Sequence, residues 1–151
     1  MIMNTEKLKA VAEKILLILG RPITTMKLEK LVYYAQCWNL VWNEAPIYEN
    51  EVEAWAHGPV IRDLYNLHKG NFIITSKFFE DANLNLLSHK EKDTIKRVVD
   101  FYGDKDPQWL SDLTHFESPW KNARKRENLQ DGERGNAVIS REEIFNYYVN
   151  L

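Results

Sequence analysis

This 151-residue chain is poor in the residues that most often signal chemistry or interrupt structure: one cysteine, four histidines, five prolines and six glycines. The single Cys37 excludes an internal disulfide and a cysteine-based zinc site, and it suits a reducing compartment, so a cytoplasmic protein is expected. Gly58, Gly70, Gly103, Gly132 and Gly135 are scattered, which leaves no glycine-rich loop to cradle phosphate. His57, His68, His89 and His115 share no short ligand spacing, so no metal site is expected. The apolar run Ile15 to Leu19 is far too short to span a membrane, and it follows Glu13 and Lys14 rather than opening a basic leader. Neither a membrane nor a targeting signal is expected. An excess of one charge is also missing. Twenty basic and twenty-two acidic residues give a net charge of −2, so no global field draws the chain to nucleic acid or anionic lipid.

What the chain has in surplus is aromatic rings, with five Trp and seven Tyr in an otherwise average composition. Its length suits one domain, residues 1–151. Leu8, Val11, Ala12, Ile15, Leu16 and Leu19 recur at helical spacing between a cap at Asn4 or Thr5 and a stop at Gly20. A Thr24/Thr25 cap then opens a second helix that is apolar nearly all round, hence central. Residues 49–55 read as a short strand with Glu49, Glu51 and Glu53 on one face. Gly58-Pro59 reads as the start of a third helix closed by Gly70, because proline is favoured at the first helical position. Residues 71–87 give no clear pattern.

Ser88 to Glu91 is a capping box ahead of the stripe Ile95, Val98, Val99 and Tyr102. Asp106-Pro107 and Ser118-Pro119 each pair a capping residue with an N1 proline and predict two short helices. Residues 127–137 read as loop. A second box, Ser140 to Glu143, with Ile139 and Ile144 as a hydrophobic staple, opens the last helix. Ala137-Val138-Ile139 is placed to pair with residues 52–55, which would satisfy backbone groups that a lone strand leaves open. The expected fold is mainly α: a compact single-domain bundle of six to seven helices with a small two-stranded β element.

Chemistry is harder to find. Cys37 lies within the apolar helix and reads as a small core residue whose thiol burial makes a poor nucleophile. Lys121, Arg124, Lys125 and Arg126 form a basic cluster that suits a solvated face or an acidic protein surface; without a second basic segment, nucleic acid is disfavoured. Tyr33, Tyr34, Trp38 and Trp42 are too many large rings for a one-sided core stripe. Either the helix is wholly buried or some rings form a second surface that meets a partner. In Ala54-Trp55-Ala56-His57-Gly58-Pro59-Val60, Gly58 suits a tight turn and Trp55 the core. His57, just ahead of the expected helix, would be held neutral by the helix dipole and would bond a neighbouring loop.

Ile23 to Gln36, with its Lys27-Leu28-Glu29-Lys30-Leu31-Val32-Tyr33-Tyr34 core, precedes the Trp55 to Val60 segment and Leu64-Tyr65. Leu110-Ser111-Asp112-Leu113-Thr114-His115, then Ser118-Pro119-Trp120, then Ile139-Ser140 with Ile144 and Tyr148 follow in order. Together these pieces resemble the Panacea domain, an antitoxin family that includes SocA-like proteolytic adaptors and is common in prophages. The resemblance implies a mostly helical antitoxin without cofactor or catalytic residue. Its partner would be a cognate protein toxin, blocked directly or presented to a AAA+ protease. The positions carried over as family-motif or partner-binding residues are Lys27, Lys30, Tyr33, Tyr34, Trp38, Trp55, His57, Gly58, Pro59, Thr114, His115, Pro119 and Trp120. Two other readings stand beside it: a hydrolase using His57 and His115, and a prophage regulator binding nucleic acid through Lys121 to Arg126. The oligomeric state is left open.

Overall fold

In the computed structural model, which describes residues 4–151, the chain is built around α2 (Thr25–Asn43). Thr24 caps this helix by accepting a hydrogen bond from the Lys27 amide, and thirteen of its residues are buried, as an apolar ring demands of a central helix. Around it lie α1 (Glu6–Leu19), α3 (Arg62–His68), α4 (His89–Tyr102), α5 (Pro107–Phe116), α6 (Ser118–Arg126) and α7 (Arg141–Tyr148). Seven α-helices among the described residues bear out the mainly α expectation.

The local signals act as read at most helix ends. Gly20 ends α1 in the left-handed conformation, and Asn4 accepts from the Glu6 amide at its start. Ser88 with Glu91, and Ser140 with Glu143, form complete capping boxes at α4 and α7. The carboxylate of Asp106 accepts from the Trp109 amide, with Pro107 in the first turn of α5. At α6 the boundary differs by one: Glu117 is the N-cap residue and Ser118 is already helical.

The expected start of the third helix fails. Gly58-Pro59 begins no helix; with Val60 it forms a strand, β3 (Gly58–Val60), and α3 starts only at Arg62. β3 pairs antiparallel with β2 (Val52–Trp55), whose other edge carries β5 (Ala137–Ile139) in the expected pairing, Val52 opposite Ile139. β3 is an edge strand, where proline's missing N–H need not break a ladder. The strand expected from residue 49 is confined to Val52–Trp55. A second small pair joins β1 (Ile23–Thr24) to β4 (Ile73–Ile74), and the unreadable stretch 71–87 holds β4 and two 3₁₀ turns. No helix among the described residues is long and apolar enough to cross a membrane.

Candidate functional site

Most of the sequence-predicted residues meet at one corner, where the β2–β3 hairpin is held by side chains from α2, α5 and α6. Gly58 turns the chain with φ +123, and a Cβ there would lie 2.5 Å from Lys30 Cε and 2.9 Å from Thr114 Oγ1. Only glycine fits. Donors then reach the hairpin carbonyls one after another. Arg124 donates to Ala54 (3.0 Å), the Trp120 indole to Trp55 (2.8 Å), Ser111 to His57 (2.7 Å) and the Lys30 ammonium to Pro59 (3.2 Å). Just beyond, the Ile61 amide donates to Glu29. Thr114 bonds back to the Ser111 carbonyl, and the His115 ring stacks on Trp120 at 3.9 Å. Pro119 is buried in the first turn of α6.

The electrostatics of this corner follow from burial. Desolvation lowers Lys30 to about 8, with Glu29 opposing. It also lowers His115, helped by the nearby charge of Lys30. Glu29 is raised by burial and bonds His68 at 2.7 Å, a pair that sequence reasoning missed; an acid inside an apolar helix was its available signal. His57 is corrected here. It sits in the β2–β3 turn with an exposed side chain, away from any helix start, and its backbone carbonyl, not its ring, makes the tie to Ser111. Among the described residues no carboxylate bonds the His57 or His115 ring, and no cluster of three metal-capable side chains forms. Lys27 serves elsewhere, donating to the Gly103 carbonyl at 2.7 Å and tying α2 to the end of α4.

The four rings of α2 divide into two kinds. Tyr33 and Tyr34 are buried: Tyr33 bonds the Tyr148 hydroxyl, while Tyr34 and Tyr148 each donate to Glu117 Oε1 at 2.7 Å. Burial raises all three hydroxyls far above the usual tyrosine range. Trp38 and Trp42 stack on each other at 5.2 Å and emerge into a groove of about 640 Å³ between α2, α4, α5 and α7. Its other walls include Phe101 (63% exposed), Trp109 (42%) and Phe116 (77%), and Glu117 lies in it. Large rings left this exposed mark an interaction surface more often than a packing accident. Phe101, Trp109, Phe116 and Glu117 were missed as site residues; Phe101, off the main stripe of an amphipathic helix, was the legible hint. A second, more polar groove borders Trp55, His57, Arg62 and Arg134.

A family model described as the SocA-like antitoxin, Panacea domain, matches residues 28–121. The chain belongs to this family. No curated protein and no solved structure matches it. The Panacea match covers the hairpin corner from Glu29 to Trp120 and the groove from Trp38 to Glu117, while α1, Arg124 of the corner and the α7 wall of the groove lie outside it. Within this Panacea domain Lys30, Gly58, Thr114 and Trp120 gather at the hairpin, whereas Trp38 lines the groove beside the exposed rings of Phe101, Trp109 and Phe116.

Proposed function

We propose that this chain, as one cytoplasmic Panacea domain, is the antitoxin of a toxin–antitoxin pair and neutralises its toxin by binding it in the aromatic groove. The exposed ring cluster carries this reading, because its rings contribute little to the core yet form a contiguous apolar surface. Trp and Tyr dominate interface hot spots, and a few well-packed anchors suffice for nanomolar affinity. Neutralisation by such a grip needs no catalytic group. Delivery to a AAA+ protease would begin with the same grip and add a second contact.

The test is co-expression with the neighbouring gene. The wild-type chain should restore growth, and the double variant Trp109→Ser with Phe116→Ser should fail to do so while keeping the helical circular-dichroism spectrum of the folded chain. A neighbour that stays toxic beside the wild-type chain, or full protection by the double variant, refutes the reading.

A further inference from the structure

Glu117 is 5% exposed, and its two oxygens live in different worlds. Oε1 accepts from Tyr34 and Tyr148, both neutral hydroxyls. Oε2 makes no hydrogen bond among the described residues, and Glu117 is part of the lining of the aromatic groove. Nor, among the described residues, does any lysine or arginine pair with it: burial raises its pKa and the two hydroxyls oppose that. A buried carboxylate without a counter-ion is costly, and a cation that enters the site to pair with it recovers much of that cost.

The walls favour the same visitor. Aromatic faces are electronegative, and three rings of this groove already carry a cation: Arg97 lies 3.8 Å over Trp42, Lys105 5.1 Å over Trp109 and Lys121 5.7 Å over Phe116. These three sit against the rings, Lys105 also beside Asp104, and none forms an ion pair with Glu117. The groove therefore combines apolar walls, rings of which three are already covered by Arg97, Lys105 and Lys121, and one acid that none of these cations pairs with. That is the complement of a basic side chain carried on an apolar stem.

Resting on the groove reading above, we infer that the toxin inserts a lysine or arginine side chain into this groove, its alkyl stem against Trp38 and Trp109 and its charged head on Glu117 Oε2. The ring pair discriminates for length and apolar character, and the carboxylate for charge. An apolar anchor such as leucine would leave the acid buried and unpaired.

The toxin is not needed to test this. n-Butylammonium reproduces a lysine side chain, and 1-butanol is its neutral counterpart; both can be titrated into the whole protein while the tryptophan indole N–H resonances are followed by NMR. The ammonium should shift the Trp38 and Trp109 signals with an affinity about tenfold above that of the alcohol, the scale of a charge-assisted hydrogen bond. In Glu117→Gln, which keeps the shape and can still accept from both tyrosines, that preference should shrink to about twofold or less. Equal binding of the two probes to the wild-type protein, or no response to either, overturns the cationic anchor. Neutralisation that depends on Trp109 and Phe116 would leave the groove reading standing in that event. Neutralisation indifferent to both would remove the groove reading, and the assignment of its occupant with it.

Discussion

At the scale of single residues, Gly58 and Lys30 are coupled, because one makes room for the other. Gly58→Ala must place a methyl group against Lys30 Cε and Thr114 Oγ1 at a φ of +123. We expect a loss of roughly 2–5 kcal/mol in urea unfolding, the sum of backbone strain and overpacking. Gly20→Ala is the control: its φ is +64 but nothing lies within 4 Å, so about 1 kcal/mol should be lost. Lys30 itself gives a pH signature. Burial lowers it to about 8 from an ordinary value of 10.5, so as pH rises the folded state releases this proton before the unfolded chain does. The unfolded state then binds more protons across that window, and stability rises with pH. Below it both states carry the proton, and the full penalty of the buried charge stands. Subtracting the stability of Lys30→Met from that of the wild type cancels Cys37 and the tyrosines, whose raised values act in the opposite direction. The difference should climb by about 3 kcal/mol between pH 8 and 10.5. A flat difference would show that the ammonium is not penalised by its burial.

At the scale of elements, the helices were legible and the hairpin was not, for a physical reason. Helix ends carry local signals: the capping boxes at Ser88 and Ser140 and the Asp106-Pro107 start depend on residues three apart in sequence, and all three operate as read. The β2–β3 hairpin depends on partners far along the chain. Gly58-Pro59 carries a local preference for opening a helix, and it is overruled by Arg124, Trp120, Ser111 and Lys30, which reach its carbonyls from three helices. Nothing within the seven residues reveals those donors. The site divides the same way. Trp38 was legible as a ring in excess on α2, whereas Glu117 becomes interesting only once Tyr34 and Tyr148, from distant segments, converge on one of its oxygens. The clamp predicts a localised effect. Trp120→Phe removes the indole donor from the Trp55 carbonyl, which should cost about 0.5–1.5 kcal/mol. Amide hydrogen exchange should rise in β2 and β3 and stay unchanged in α1 and α4, which do not depend on that bond. Uniform acceleration through the molecule would mean that the hairpin is no separate unit of stability.

For the whole molecule, the issue is what an outward-facing aromatic groove does to stability when it is filled. Lys30, Ser111, Trp120 and Arg124 lock the hairpin against α2, α5 and α6 without using Phe101, Trp109 or Phe116, so the exposed rings of the groove stand on a scaffold that is hydrogen-bonded independently of them. A partner that binds only the folded state must then raise the unfolding temperature by mass action, since the free energy gained scales with the logarithm of its concentration over its Kd. For a toxin present at a thousand times its Kd this is about 4 kcal/mol, or roughly 8–16 °C for a chain of this size. The purified neighbouring gene product, added to this protein in a scanning calorimeter, should produce that shift in the wild type. In the Trp109→Ser, Phe116→Ser double variant the shift should vanish, although the free protein, which loses one half-buried and one mostly exposed ring, still unfolds in a single cooperative transition. The same pair separates blocking from delivery. A complex that inhibits the purified toxin without any protease present is direct neutralisation. A complex that forms with the full thermal shift yet leaves the purified toxin active, while the toxin disappears only in cells holding an AAA+ protease, makes the groove a handle for delivery. No thermal shift with a folded, active toxin places the grip outside this molecule and ends the antitoxin reading for that partner.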